Sequence, residues 1–295
     1  MRKVFSRLLV FFIGVPVVLA IIFTDVLNHL PLHMLVTGIV ILGASELYEM
    51  FRKKTPLLPK PFIITASALL PVATCFYAVL PECFNITFPF GIEVITYIFI
   101  AIVLFTLFIE VFFTESFEHS LLKTASSVFI ILYVAFMMTF VSRLTMFRIA
   151  DKNVSTAFLA VFVMMVFLCD SLAWFFGVLF GKSTRGFAKA SPNKSLVGFA
   201  GGILGSILAG VLGKIYWNDI FTGSILKIIF LGIAISISSI VGDLAESVFK
   251  RSAEIKDSGS IMPGRGGILD SIDSIIMSAP LFYFMTNILY GPFVQ

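Results

Sequence analysis

The chain has 295 residues, of which 59% are hydrophobic and 13% charged, with a formal net charge of +4 and a mean hydropathy of +1.04. Soluble domains run near about 45–50% apolar and about 25% charged, so a soluble enzyme, a disordered tail and a nucleic-acid module are all excluded. What remains is an all-α, polytopic integral membrane protein, and its 34 phenylalanines suit contact with lipid better than with water.

A hydrocarbon core of about 30 Å calls for roughly 20 apolar helical residues. On that basis the sequence predicts about nine transmembrane helices, at 8–24, 33–50, 62–80, 88–113, 121–142, 156–180, 195–213, 224–245 and 268–290. The first follows Arg2, Lys3 and Arg7 but lacks a small-residue cleavage site, so it reads as a retained helix. The seventh is dense in glycine (Gly198, Gly201, Gly202, Gly205, Gly210, Gly213), which lets helices approach closely in a bilayer. With the N-terminus cytoplasmic, the inside segments carry sixteen Lys and Arg and the outside segments five. That bias agrees with nine spans and an external C-terminus. The expected organisation is an N-terminal region, 1–150, of about five spans. A catalytic region, 151–295, of about four spans follows, with cytoplasmic loops at 181–194 and 246–267. Cys75, Cys83 and Cys169 have no metal-ligand spacing and read as packing residues.

Two segments concentrate the polar residues, and both fall on the predicted cytoplasmic side. In 169–202, Asp170 lies inside the sixth span. An acid there costs ~2.5–3.5 kcal/mol on insertion scales and is a functional-site hypothesis by default, the plain alternative being a helix-packing hydrogen bond. The loop that follows supplies Lys182, Arg185, Lys189 and Lys194, with Ser191, Pro192, Asn193 and Ser195. In 241–274, Asp243 and Glu246 share a helix face with Ser247 and Lys250, and Asp270 and Asp273 repeat the i, i+3 spacing. Salt bridges to Lys250, Arg251 and Lys256 would account for one such pair. Two pairs flanking a glycine-rich turn, Pro263-Gly264-Arg265-Gly266-Gly267, point instead to oxygen ligands for a hard cation such as Mg²⁺. Backbone amides of the turn, just before the helix start at Ile268, are candidate anion donors. Metal ligands and cations together indicate a polyphosphate substrate.

These segments resemble the signature of the phosphatidate cytidylyltransferase (CDP-diacylglycerol synthase) family. The matching residues are Gly242-Asp243-Leu244-Ala245-Glu246-Ser247, Lys250-Arg251, Lys256-Asp257, the 263–267 turn, and Asp270 with Asp273. Asp170-Ser171, Gly177 to Lys182, Ser191 to Ser195 and Gly201-Gly202 extend the likeness upstream. Trp174, Val197, Arg265 and Ser271 stand where the family has Tyr, Glu, His and Arg. The resemblance implies transfer of a cytidylyl group from CTP to phosphatidic acid, giving CDP-diacylglycerol and pyrophosphate. It implies Mg²⁺ held by Asp243, Asp270 and Asp273, with room for a second, monovalent cation. Lys194, Lys250, Arg251 and Arg265 would be the catalytic cations, supported by Asp170 and Glu246. Ser191, Pro192, Lys194, Ser195, Gly264, Gly266 and Gly267 would hold the nucleotide. Membrane lipid is the other partner, nucleic acid is not one, and a homodimer is compatible. The expected location is the cell (inner) membrane, multi-pass, with the active site facing the cytoplasm. Alternatives left open are a related CTP-dependent lipid-alcohol kinase or cytidylyltransferase, a transporter, and a catalytically weak paralogue.

Overall fold

The structure, a computed structural model, describes residues 13–86, 88, 91–149, 152–262, 264 and 266–291. The described chain is helical almost throughout. Its helices are α1 (Val15–Phe23), α2 (Leu30–Phe51), α3 (Lys60–Phe84), α4 (Val94–Phe113), α5 (Ser120–Met146), α6 (Ser155–Leu179), α7 (Leu196–Tyr216), α8 (Ile225–Ser252) and α9 (Leu269–Tyr290). A two-residue antiparallel pair, β1 (Arg148–Ile149) with β2 (Lys152–Asn153), precedes α6.

Among the described residues, α2 to α9 are eight helices long and apolar enough to cross a membrane. The first predicted span reaches into residues outside those described, and α1 is its described part. Elsewhere hydropathy finds each helix but misplaces its ends. The eighth span, expected to stop at 245, runs to Ser252 and carries Glu246, Ser247, Lys250 and Arg251 on regular helix. The fourth begins at Val94 instead of 88. α5 is interrupted by a π-helical stretch, Ile131–Phe136, that no hydropathy pattern records.

The chain forms two compact units. One is the described part of Met1–Met146 with Ser252–Ser271, and the other is Phe147–Arg251 with the described part of Ile272–Val294. In the first, α2 packs against α3. Glu110 of α4, buried, accepts from Lys123 Nζ of α5 at 2.7 Å, which keeps an intramembrane carboxylate paired. His29 and His33 are buried, and His33 Nε2 lies 3.3 Å from Thr145 Oγ1.

In the second unit α6 and α7 run antiparallel in close contact, because α7 offers a stripe without side chains. A Cβ on Gly198 would sit 2.8 Å from the Ala173 carbonyl oxygen, one on Gly201 2.8 Å from that of Leu172, and one on Gly205 would meet that of Leu168. Without a hydrophobic drive between helices in lipid, such backbone proximity is a main source of packing energy. α8 joins the pair, with Gly232 against Ile207, and meets α9 where a Cβ on Gly242 would come 2.5 Å from the Asp273 carbonyl oxygen. Gly205→Leu should therefore lower the melting temperature in detergent, overpacking costing ~1–3 kcal/mol. Gly38→Leu, at a position with nothing within 4 Å, should not.

Candidate active site

The packing of α6, α8 and α9 gathers the acids of the second unit. Asp170, on the C-terminal half of α6, accepts from Ser239 Oγ of α8 and Ser274 Oγ of α9, both at 3.4 Å. Its side chain is exposed. Asp273, on the first turns of α9, is buried, and its carboxylate accepts from the Ser274 amide at 2.7 Å. Asp170, Asp243 and Glu246 are its electrostatic neighbours.

Two lysines answer these acids. Lys194, from the loop before α7, pairs with Asp243. Lys250 pairs with Glu246 one turn earlier on α8, where Glu246 is fully buried. When all six groups are ionised, four carboxylates face two ammonium groups, leaving two negative charges. That excess matches one divalent cation.

The loop from Gly181 to Ser195 reaches this cluster through specific contacts. Ser195 is buried and caps α7, its Oγ accepting from the Gly198 amide at 3.0 Å. Gly177 and Gly181 leave space for that hydroxyl. Ser191 turns the chain by accepting the Lys194 amide at 3.1 Å, which aims Lys194 back at α8. Arg251, at the end of α8, donates Nε to the Ala190 carbonyl at 3.3 Å. Pro192 is exposed beside this turn. Lys194, Asp170, Asp243, Glu246, Lys250 and Asp273 thus stand together, whereas Ser195 serves the helix cap.

The remaining sequence-predicted residues belong to the first unit. Gly264 and Gly266 have φ of +78° and +110°, conformations that glycine adopts without strain, and Met262 and Gly266 bond each other's backbone across the turn. Pro263 and Arg265 lie outside the described residues. Asp270 Oδ2 accepts from the amides of Ser258 and Gly267, both at 2.8 Å, and lies 2.9 Å from Ser258 Oγ. Of the turn amides read from sequence as anion donors, that of Gly267 donates to Asp270, and the next two, of Ile268 and Leu269, donate to the carboxylate of Glu46 from α2. Two participants were missed in the sequence. Ser239 carries no signal among the serines of α8. Glu46 carries the same signal as Asp170, an acid inside a predicted span.

Among the described residues, no three His, Cys, Asp or Glu side chains form a ready-made metal-holding group. The donor set still fits Mg²⁺, which usually takes one or two protein carboxylates and completes its shell with water and substrate phosphates. Here the oxygens are carboxylate, and with all six groups ionised the cluster is two charges short of neutral.

Comparison with known proteins extends the likeness along most of the chain, beyond the two segments that carry it in the sequence. Residues 5–289 match the sequence model of the cytidylyltransferase family. A phosphatidate cytidylyltransferase of Thermotoga maritima is 32% identical over 261 residues, covering 87% of this chain and 88% of that protein. Proteins of the same name from Synechocystis and Haemophilus influenzae are 41% and 38% identical over 129 and 136 residues, covering 42% and 45% of this chain and 41% and 47% of theirs.

The pairing of Lys250 with a fully buried Glu246 carries a stability prediction. Removing one partner of such a pair leaves an uncompensated charge and costs about 3–5 kcal/mol. Lys250→Met should therefore depress thermal stability in detergent strongly, and Glu246→Leu added to it should recover most of the loss.

Proposed function

The chain belongs to the cytidylyltransferase family, and from that premise we propose that it is a phosphatidate cytidylyltransferase, converting CTP and phosphatidic acid to CDP-diacylglycerol and pyrophosphate. The observation that carries the reading is the gathering of Asp170, Asp243, Glu246 and Asp273 with Lys194 and Lys250 at the end of three apolar helices. The likeness to the Thermotoga maritima protein, over 87% of this chain, supports it.

In this reaction a phosphate oxygen of phosphatidic acid attacks the α-phosphorus of CTP. A new P–O bond forms, the bond from the α-phosphorus to the bridging oxygen breaks, and the electron pair leaves with pyrophosphate. The nucleophile is already ionised near neutral pH, so the protein need not supply a strong base. It must bring two anions together and neutralise charge at the α-phosphorus and the leaving group. Lys194 and Lys250 are suited to bind phosphate oxygens, and Arg251 stands at the rim of the same unit. Asp243 and Asp273 would hold Mg²⁺, with Asp170 and Glu246 setting the field around them. The ion would supply charge neutralisation for the triphosphate. Asp170 and the exposed Ser171 and Trp174 follow one another on α6, so an acyl chain in the bilayer can lie along the outer face of that helix.

The protein would act in the cell membrane with this face toward the cytoplasm, where CTP is available. The positive-inside bias supports that orientation.

The direct test is an assay of purified protein in detergent with labelled CTP, phosphatidic acid and Mg²⁺. CDP-diacylglycerol and pyrophosphate should form in equal amounts, and absence of product would refute the reading. Asp243→Asn should cut turnover ~100-fold or more while leaving the protein inserted and folded, as loss of a preorganised charge does. Orientation is checked separately. A single cysteine at Ser183 or Ser260, both exposed, in a background lacking Cys75, Cys83 and Cys169 should react only when the reagent can cross the membrane.

A further inference from the structure

Glu46 lies near the end of α2, distant in sequence from every residue discussed as part of the site. It is buried, with 7% of its surface exposed. Its carboxylate accepts three hydrogen bonds from the segment that leads into α9. The Ile268 amide donates to Oε1 at 3.0 Å, the Leu269 amide to Oε2 at 2.9 Å, and Ser258 Oγ to Oε2 at 2.9 Å. Ser258 Oγ also lies 2.9 Å from Asp270 Oδ2, and Asp270 takes the amides of Ser258 and Gly267. Two carboxylates therefore hold four backbone amides of 258–269, and the Ser258 hydroxyl lies between them.

The segment is shaped around this carboxylate. A Cβ on Gly259 would meet Glu46 Oε1, and a Cβ on Gly267 would meet both Ser258 Oγ and Glu46 Oε2. Glycine at these two positions is thus explained by the approach of Glu46, independently of the hydrogen bonds. The energetics favour the same view. An anion at a helix N-terminus is stabilised by the orphan amides and the helix dipole, and here the anion is the protein's own.

We propose that Glu46 is a positioning residue for the transfer reaction. It fixes the conformation of 257–262 and 266–268 and the first turn of α9, the helix on which Asp273 follows one turn later. Glu46 does not touch substrate in this account; it acts through the segment it holds. The proposal rests on the function reading above.

The test combines a substrate-free and a catalytic measurement on the full chain in detergent. Glu46→Gln keeps size but presents an amide N–H₂ to backbone N–H groups. Hydrogen exchange in the peptide spanning 257–270 should speed at least tenfold, while peptides of α6 and α7 remain as in wild type. In the same preparation kcat should fall ~10- to 100-fold, as small misplacement of reacting groups does, with KM for CTP within threefold. Ser258→Ala, a milder change, should shift both readings in the same direction and serves if Glu46→Gln does not fold. Glu49→Gln, three residues along α2 and paired with Lys60, should alter neither. Unchanged exchange in Glu46→Gln or Ser258→Ala overturns the proposal, and so does faster exchange with wild-type kcat. If the wild-type chain makes no CDP-diacylglycerol, the function reading fails, and the exchange result, which needs no substrate, still decides whether Glu46 holds the segment.

Discussion

Burying carboxylates among helices as apolar as these is the constraint around which the second unit is organised. Each acid in a membrane helix costs ~2.5–3.5 kcal/mol on insertion scales. Asp170, Asp243, Glu246 and Asp273 share one neighbourhood with two lysines. Lys194 and Lys250 remove part of the repulsion, and Ser239 and Ser274 hydrogen-bond Asp170. With all six groups ionised, the remainder is a deficit of positive charge, which a divalent cation would fill. A site that is uncomfortable when empty gains affinity for such a ligand from the discomfort itself.

That arrangement depends on helices coming close enough for short side chains to meet. Serine and aspartate reach only a few ångströms from their backbone. The glycine stripe of α7 lets α6 approach, and Gly242 lets α8 meet α9 beside Asp273. The glycines therefore sit upstream of the chemistry: a side chain at Gly242 would push α8 away from the helix that carries Asp273 and Ser274. In the first unit Gly259 and Gly267 play the corresponding part for Glu46.

Much of this was legible in the sequence, and the exceptions have physical causes. Hydropathy located α2 to α9, since a bilayer-length apolar run is a strong signal. It stopped α8 at 245 because Glu246 and Lys250 look like the end of a span, whereas on the helix they pair with each other. The spacing of Asp243, Glu246 and Lys250 was readable because i, i+3 and i, i+4 neighbours are fixed by helix geometry. The pairing of Lys194 with Asp243 was not, since it joins a loop to a helix by tertiary packing. Glu46 escaped for the same reason, its partners lying 212, 222 and 223 residues away. Ser195, read from sequence as a nucleotide ligand, also caps α7, a role that only the helix start at Leu196 reveals.

The central claim is that the excess negative charge of the acid cluster is matched by a divalent cation arriving with the nucleotide. Equilibrium binding of CTP to the purified wild-type protein, measured with Mg²⁺ and again in chelator, tests it most directly. Binding should be at least tenfold tighter with Mg²⁺, and Asp243→Asn should erase most of that difference. Equal affinity in Mg²⁺ and chelator would contradict the account.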